Sequence, residues 1–112
     1  MSKYQIEDYT VTPITSAQRA KLRSLAADMS AIIQVGKGGI NDNLIQQVAD
    51  ALAARELIKL HCLETAPDFA RETAQQLAEA TRSDVVQVIG NRFVLYKRNE
   101  KNPKIVLSKS KK

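Results

Sequence analysis

In 112 residues this chain has no tryptophan, one cysteine and one histidine. A lone Cys62 rules out an internal disulfide and fits a reducing compartment. A lone His61 beside it leaves no ligand set for a zinc site. On a strand these two neighbours point to opposite faces, so they cannot work as a pair. Carboxylates stand singly in helices and turns, with no two at a spacing that forces them into one site, so no general acid/base pair emerges. Aromatic side chains are limited to Tyr4, Tyr9, Phe69, Phe93 and Tyr96. Phe93 and Tyr96 fall in an apolar run that reads as core, which restricts base stacking. No apolar run approaches the roughly 18–20 residues of a membrane-spanning helix. The first residues, MSKYQIEDYT, also lack the apolar stretch of a signal peptide. The expectation is a soluble, cytoplasmic monomer with no metal, no cofactor and no enzymatic activity.

What the chain does have is positive charge, unevenly placed. The net charge is +5. Residues 97–112 carry seven basic side chains (Lys97, Arg98, Lys101, Lys104, Lys109, Lys111 and Lys112) against one acid, Glu100. The first 96 residues hold ten basic and eleven acidic side chains, so the whole excess lies at the C-terminal end. Such an end raises affinity for any polyanion without selecting a sequence. The plainer reading is a solubilising tail.

In chain order, residues 1–13 are polar, without periodicity, and expected to be flexible. Thr15-Ser16-Ala17-Gln18 has the form of a capping box. The helix it opens is expected to run to about Asp28, with Leu22, Leu25, Ala26 and Met29 on one face. Arg19, Lys21 and Arg23 occupy the rest of its surface. Ile32–Val35 is a short apolar run of the kind found in strands buried on both faces. Asn41, Asp42 and Asn43 suit a helix start, and Leu44, Ile45, Val48, Ala49 and Leu52 form its stripe, with Arg55-Glu56 closing it. Leu57–Leu63 reads as a strand. Thr65-Ala66-Pro67-Asp68 is expected to start a third helix, with Phe69 or Ala70, Ala74, Leu77 and Ala78 facing inward, ended by Arg82-Ser83. Asp84–Ile89 and Phe93–Tyr96 read as strands joined by the two-residue turn Gly90-Asn91. Ile105-Val106-Leu107 suggests a short extra strand. The order is α-β-α-β-α-β-β: a single α/β domain over residues 14–98, a mixed sheet with helices packed on it, and a basic extension over 99–112.

The stretch around which the chain is arranged is Gly36-Lys37-Gly38-Gly39. It joins the first strand to the helix opening at Asn41. Glycines leave backbone N–H groups uncovered and permit positive φ. A helix N-terminus offers free N–H groups and the positive end of its dipole. Lys37 adds a mobile charge. Together these suit a phosphate oxygen. Neither the P-loop spacing nor the G-x-G-x-x-G dinucleotide fingerprint is present. A G-x-x-G loop is itself a known device for clamping an RNA backbone. Gly39, at the helix entrance, is expected to admit close approach of RNA and to tolerate a side chain without loss of the fold. The basic first helix precedes the strand that delivers the loop, so Arg19, Lys21 and Arg23 are expected on the same side.

At this point the residues resemble a known family. Leu22 through Gly39, centred on Ile33-Gln34-Val35-Gly36-Lys37-Gly38-Gly39-Ile40-Asn41, looks like the CRM domain (chloroplast RNA splicing and ribosome maturation). Glu56-Leu57-Ile58-Lys59 is similar too, as is Val86-Gln87-Val88-Ile89-Gly90 followed by Phe93-Val94-Leu95-Tyr96. The likeness covers about residues 14–98 and is greatest to the bacterial single-domain, YhbY-type members. It implies a fold similar to the C-terminal domain of translation initiation factor three. It also implies RNA binding without catalysis, and association with precursors of the large ribosomal subunit, hence ribosomal RNA as partner. The family's loop falls on Gly36, Lys37, Gly38 and Gly39, with Asn41 at the helix start, and its basic helix on Arg19, Lys21 and Arg23. Charge and spacing alone leave other readings open. One is a KH-type RNA binder, whose loop lies between two helices rather than after a strand. Another is a protein-binding adaptor with a solubilising tail.

Overall fold

The computed structural model describes residues 14–99 and Ile105. The expected flexible start at 1–13, the extra strand at 105–107 apart from Ile105, and most of the basic extension lie outside the described residues.

Three helices and four strands follow in the expected order: α1 (Ser16–Ala26), β1 (Ile33–Val35), α2 (Asp42–Arg55), β2 (Leu57–Cys62), α3 (Ala70–Thr81), β3 (Asp84–Ile89) and β4 (Arg92–Tyr96). Local chemistry explains most boundaries. Thr15 and Gln18 form the reciprocal capping box: Gln18 N–H donates to Thr15 Oγ1 at 3.1 Å and Thr15 N–H to Gln18 Oε1 at 3.0 Å. Asn41 caps α2 by accepting the Leu44 N–H on Oδ1 at 2.9 Å. α3 stops at Arg82, whose left-handed φ of 57° turns the chain. Gly90, at φ 59°, makes the tight turn between β3 and β4.

The strands form one sheet in the order β1-β2-β4-β3. β1 and β2 are parallel, while β4 runs antiparallel to both β2 and β3. The hairpin strand β4 thus inserts between the two strands that α3 connects, leaving one parallel pair. β1 is an edge strand, not one buried on both faces. Ile33 and Val35 point inward while Gln34 is exposed and Ile32 is 43% exposed. Period-two alternation had been hidden by flanking apolar residues.

Two cores lie on opposite faces of the sheet. α2 and α3 cover the larger one, where Leu44, Val48, Leu52, Ala74 and Leu77 meet Ile33, Val35, Ile58, Leu60, Phe93 and Leu95. α1 covers the smaller one, where Leu22 and Ala26 meet Leu57, Val86, Val94 and Tyr96. Of the expected α1 face, Leu25 is 43% exposed and Met29 only partly buried. Cys62 is buried, as free cysteines usually are.

The third helix begins later than expected. Thr65–Asp68 form turns, Phe69 is the N-cap, and Ala70 is the first helical residue. Phe69 does not join the core and is 82% exposed, whereas Ala70 is buried. The residues 63–68 are needed to cross from β2 to α3, and they do so against the glycine loop.

Candidate nucleic-acid interface

The loop is a tight turn with one bond across it: the Gly39 N–H donates to the Gly36 carbonyl at 2.9 Å. Lys37 and Gly38 form its tip, and both are exposed. Among the described residues, nothing accepts a bond from the N–H groups of Lys37 or Gly38. Ile40 packs on the core and anchors the exit. α2 then starts with its cap made by Asn41, leaving the first N–H groups of the helix facing outward. Lys37, two open amides and a helix N-terminus therefore converge at one end of the sheet, an arrangement that favours anionic oxygen.

The glycines have different jobs. Gly39 alone in the loop has a positive φ, +63°, and a Cβ there would lie 2.8 Å from Pro67 Cγ. A side chain at Gly39 thus strains the fold itself, against the expectation that the fold accommodates one. At Gly36 and Gly38 an added Cβ would meet its nearest neighbours at 3.6 Å, ordinary contact. The second wall of the loop comes from residues 63–67: the Leu63 N–H donates to the Val35 carbonyl at 2.9 Å, and Thr65 and Pro67 lie against Gly36 and Gly39.

The basic residues of α1 do not share one environment. Arg19 is half-buried, and its guanidinium donates to the Val85 carbonyl and, at 3.4 Å, to the Val86 carbonyl. The β3 register shifts between Val85 and Gln87. Such a bulge takes backbone groups out of the ladder, and Arg19 supplies a partner. Arg19 also faces Asp84, whose carboxyl burial holds above its ordinary range while the guanidinium pulls it down. Arg19 thus fastens α1 to the sheet. Lys21 and Arg23 are exposed. At 100° per residue they leave α1 on opposite flanks of its buried Leu22–Ala26 line, with Arg23 on the Arg19 side. α1 sits on the sheet face opposite α2, so the loop and the basic helix are carried by different layers.

Pairing assembles a row around two cations, Lys59 and Arg92, that no single segment displays. Gln34 pairs with His61, His61 with Arg92, and Arg92 with Ile89, so all four share one face across the whole sheet. Lys59, two residues before His61, lies on the same face. This row is on the α1 side, at the end of the sheet where the loop emerges: Cys62 N–H donates to the Asn91 carbonyl at 2.7 Å, holding the hairpin turn beside the β2 exit. The period-two spacing of Lys59 and His61 was visible in the sequence. Gln34 and Arg92 join them only through strand pairing.

The role of one further residue was not read from the sequence. Glu56, expected only to close α2, is fully buried at φ 68°. Its carboxylate accepts the Asn99 N–H at 2.7 Å and the Ile105 N–H at 2.8 Å, and its own carbonyl accepts the Lys97 N–H at 2.9 Å. It ties Lys97, Asn99 and Ile105 to the end of α2. Among the described residues no group of three metal-ligating side chains occurs, and no helix is long and apolar enough to cross a membrane.

An α/β domain with a phosphate-suited loop at the end of a four-stranded sheet is the class these features define. Residues 14–97 match the model of the CRS1 / YhbY (CRM) domain, and the chain belongs to that family. It is 47% identical over 94 residues to the "Probable RNA-binding protein YqeI" of Bacillus subtilis, spanning 84% of this chain and 98% of that one. It is 31% identical over 101 residues to a protein of Methanocaldococcus jannaschii also named for RNA binding, spanning 88% of this chain and 75% of that one. The solution structure of a hypothetical Staphylococcus aureus protein, named as a candidate RNA binder, superimposes with a TM-score of 0.72 at 48% identity, over 86% of this chain and all of that one.

Proposed function

We propose that this protein binds RNA through the sugar–phosphate backbone, with the Gly36–Gly39 loop as the central contact. In this reading it acts as a cytoplasmic monomer on precursors of the large ribosomal subunit and catalyses nothing. The observation that carries RNA binding is the exposed Lys37 on a turn whose open amides lead directly into the N-terminus of α2. Asn41 sets that terminus by capping it. Lys21, Arg23, Lys59 and Arg92 add sequence-independent attraction around the loop, and Arg19 holds α1 in place. Relatives named for RNA binding support the chemistry. The resemblance of the loop and flanking motifs to the bacterial YhbY-type proteins supports the ribosomal setting.

Sedimentation of cell lysate through a sucrose gradient tests the setting. The protein is expected to migrate with large-subunit precursor particles at low salt and to leave them at high salt. A protein that stays at the top of the gradient at low salt would move the function to a free RNA or to a protein partner.

A further inference from the structure

We infer that Phe69 is a stacking platform for one unpaired RNA base, placed beside the loop that holds the backbone. The inference rests on the RNA-binding reading above and adds to it that the bound RNA is single-stranded at this point. Phe69 is 82% exposed, more than any other large apolar side chain among the described residues. The other described Phe and Tyr rings, Phe93 and Tyr96, are buried. Phe69 contributes nothing to the core. It also occupies the N-cap of α3, where Ser, Thr, Asp or Asn is favoured, and makes no side-chain cap bond. Residues that break a local rule without a packing gain concentrate at functional or strained positions.

Its location supplies the ligand. Pro67 lies against Gly39, and Phe69 is two residues further on, so its Cα is within about 7 Å of the Pro67 Cα. The backbone is pinned on both sides: the Cys62 thiol donates to the Asp68 carbonyl at 3.4 Å, and the Phe69 carbonyl accepts the Thr73 N–H at 3.0 Å. The backbone that carries the ring is therefore already ordered before RNA arrives. Glu64 and Asp68 flank this side of the loop and are exposed, which disfavours a phosphate there and leaves a neutral base unaffected. Phosphate at Lys37 and a splayed base over Phe69 is the division of labour this charge pattern supports. Unstacked bases held on aromatic rings are the usual means of recognising single-stranded RNA.

The test uses the full chain and a short single-stranded RNA of mixed sequence, free and annealed to its complement. Phe69→Ala should weaken binding of the single strand by about five- to a hundredfold and leave the salt slope unchanged, since no charge is removed. Binding of the duplex should not change between wild type and Phe69→Ala. Phe69→Trp provides a direct readout, because the chain has no other tryptophan. Its fluorescence should be quenched as the single strand binds. Wild-type affinity in Phe69→Ala, with unquenched fluorescence in a saturated Phe69→Trp complex, would overturn the inference while leaving the RNA-binding reading intact. Failure of the wild-type protein to bind either RNA would overturn both.

Discussion

Replacing Gly39 with alanine isolates the two physical demands placed on the loop. The backbone at Gly39 has φ +63°, a conformation that costs a residue with a Cβ about 1–2 kcal/mol. The new methyl would also lie 2.8 Å from Pro67 Cγ and 3.3 Å from Pro67 Cδ. Overpacking of that kind costs about 1–3 kcal/mol. The sum, about 2–5 kcal/mol, is a large share of the stability of a domain this size. Urea denaturation should show a lower midpoint with an unchanged slope. The double variant Gly39→Ala/Pro67→Ala separates the terms. Removing the ring should recover the steric part and leave the backbone part, a coupling of about 1 kcal/mol or more. Gly38→Ala is the control: its φ is not in the left-handed region and the nearest atom would be Asn41 Nδ2 at 3.6 Å, so stability should change by less than about 0.5 kcal/mol. Gly39→Ala as stable as wild type, or no recovery on removing Pro67, would refute this account of the loop.

Two further substitutions test the interior. Glu56→Ala removes the acceptor of the Asn99 and Ile105 N–H groups; a loss of about 2–4 kcal/mol and faster amide exchange at both positions are expected, whereas a stability within about 0.5 kcal/mol of wild type would show that the carboxylate holds nothing in place. Asp84 is an acid whose folded pKa lies above its ordinary value of 3.8 because burial outweighs the pull of Arg19. The folded state then binds the proton more tightly than the unfolded chain, so stability falls as pH rises from 3.8 through the raised value. Asp84→Asn should flatten that dependence and be at least as stable as wild type at neutral pH; a loss of more than about 1 kcal/mol there would mean that the attraction to Arg19 dominates.

Much of this architecture was legible because its signals are local. The Thr15/Gln18 box, the Asn41 cap and the Gly90-Asn91 turn each lie within a few residues, and each forms the predicted boundary. The strand order was not, since nothing local says that β4 inserts between β2 and β3. Ile32–Val35 misled because neighbouring apolar residues masked the alternation of an edge strand. Pro67 read as a helix-start residue because proline suits a first turn, yet its ring here packs against Gly39. The loop itself was legible from Gly36-Lys37-Gly38-Gly39. That Arg19 serves β3 while Lys21 and Arg23 remain exposed depends on a bulge at Val85–Gln87 that the sequence does not announce. The Gln34–His61–Arg92 row and the burial of Glu56 likewise exist only once distant segments pair.

The measurement closest to the central claim is the affinity of the protein for RNA over a series of salt concentrations, for wild type and for Lys37→Ala. If Lys37 contacts a phosphate, the substitution weakens binding and lowers the magnitude of the slope of log affinity against log salt by about one. An unchanged affinity and slope, with the fold intact, would contradict the assignment of the Gly36–Gly39 loop as the RNA contact.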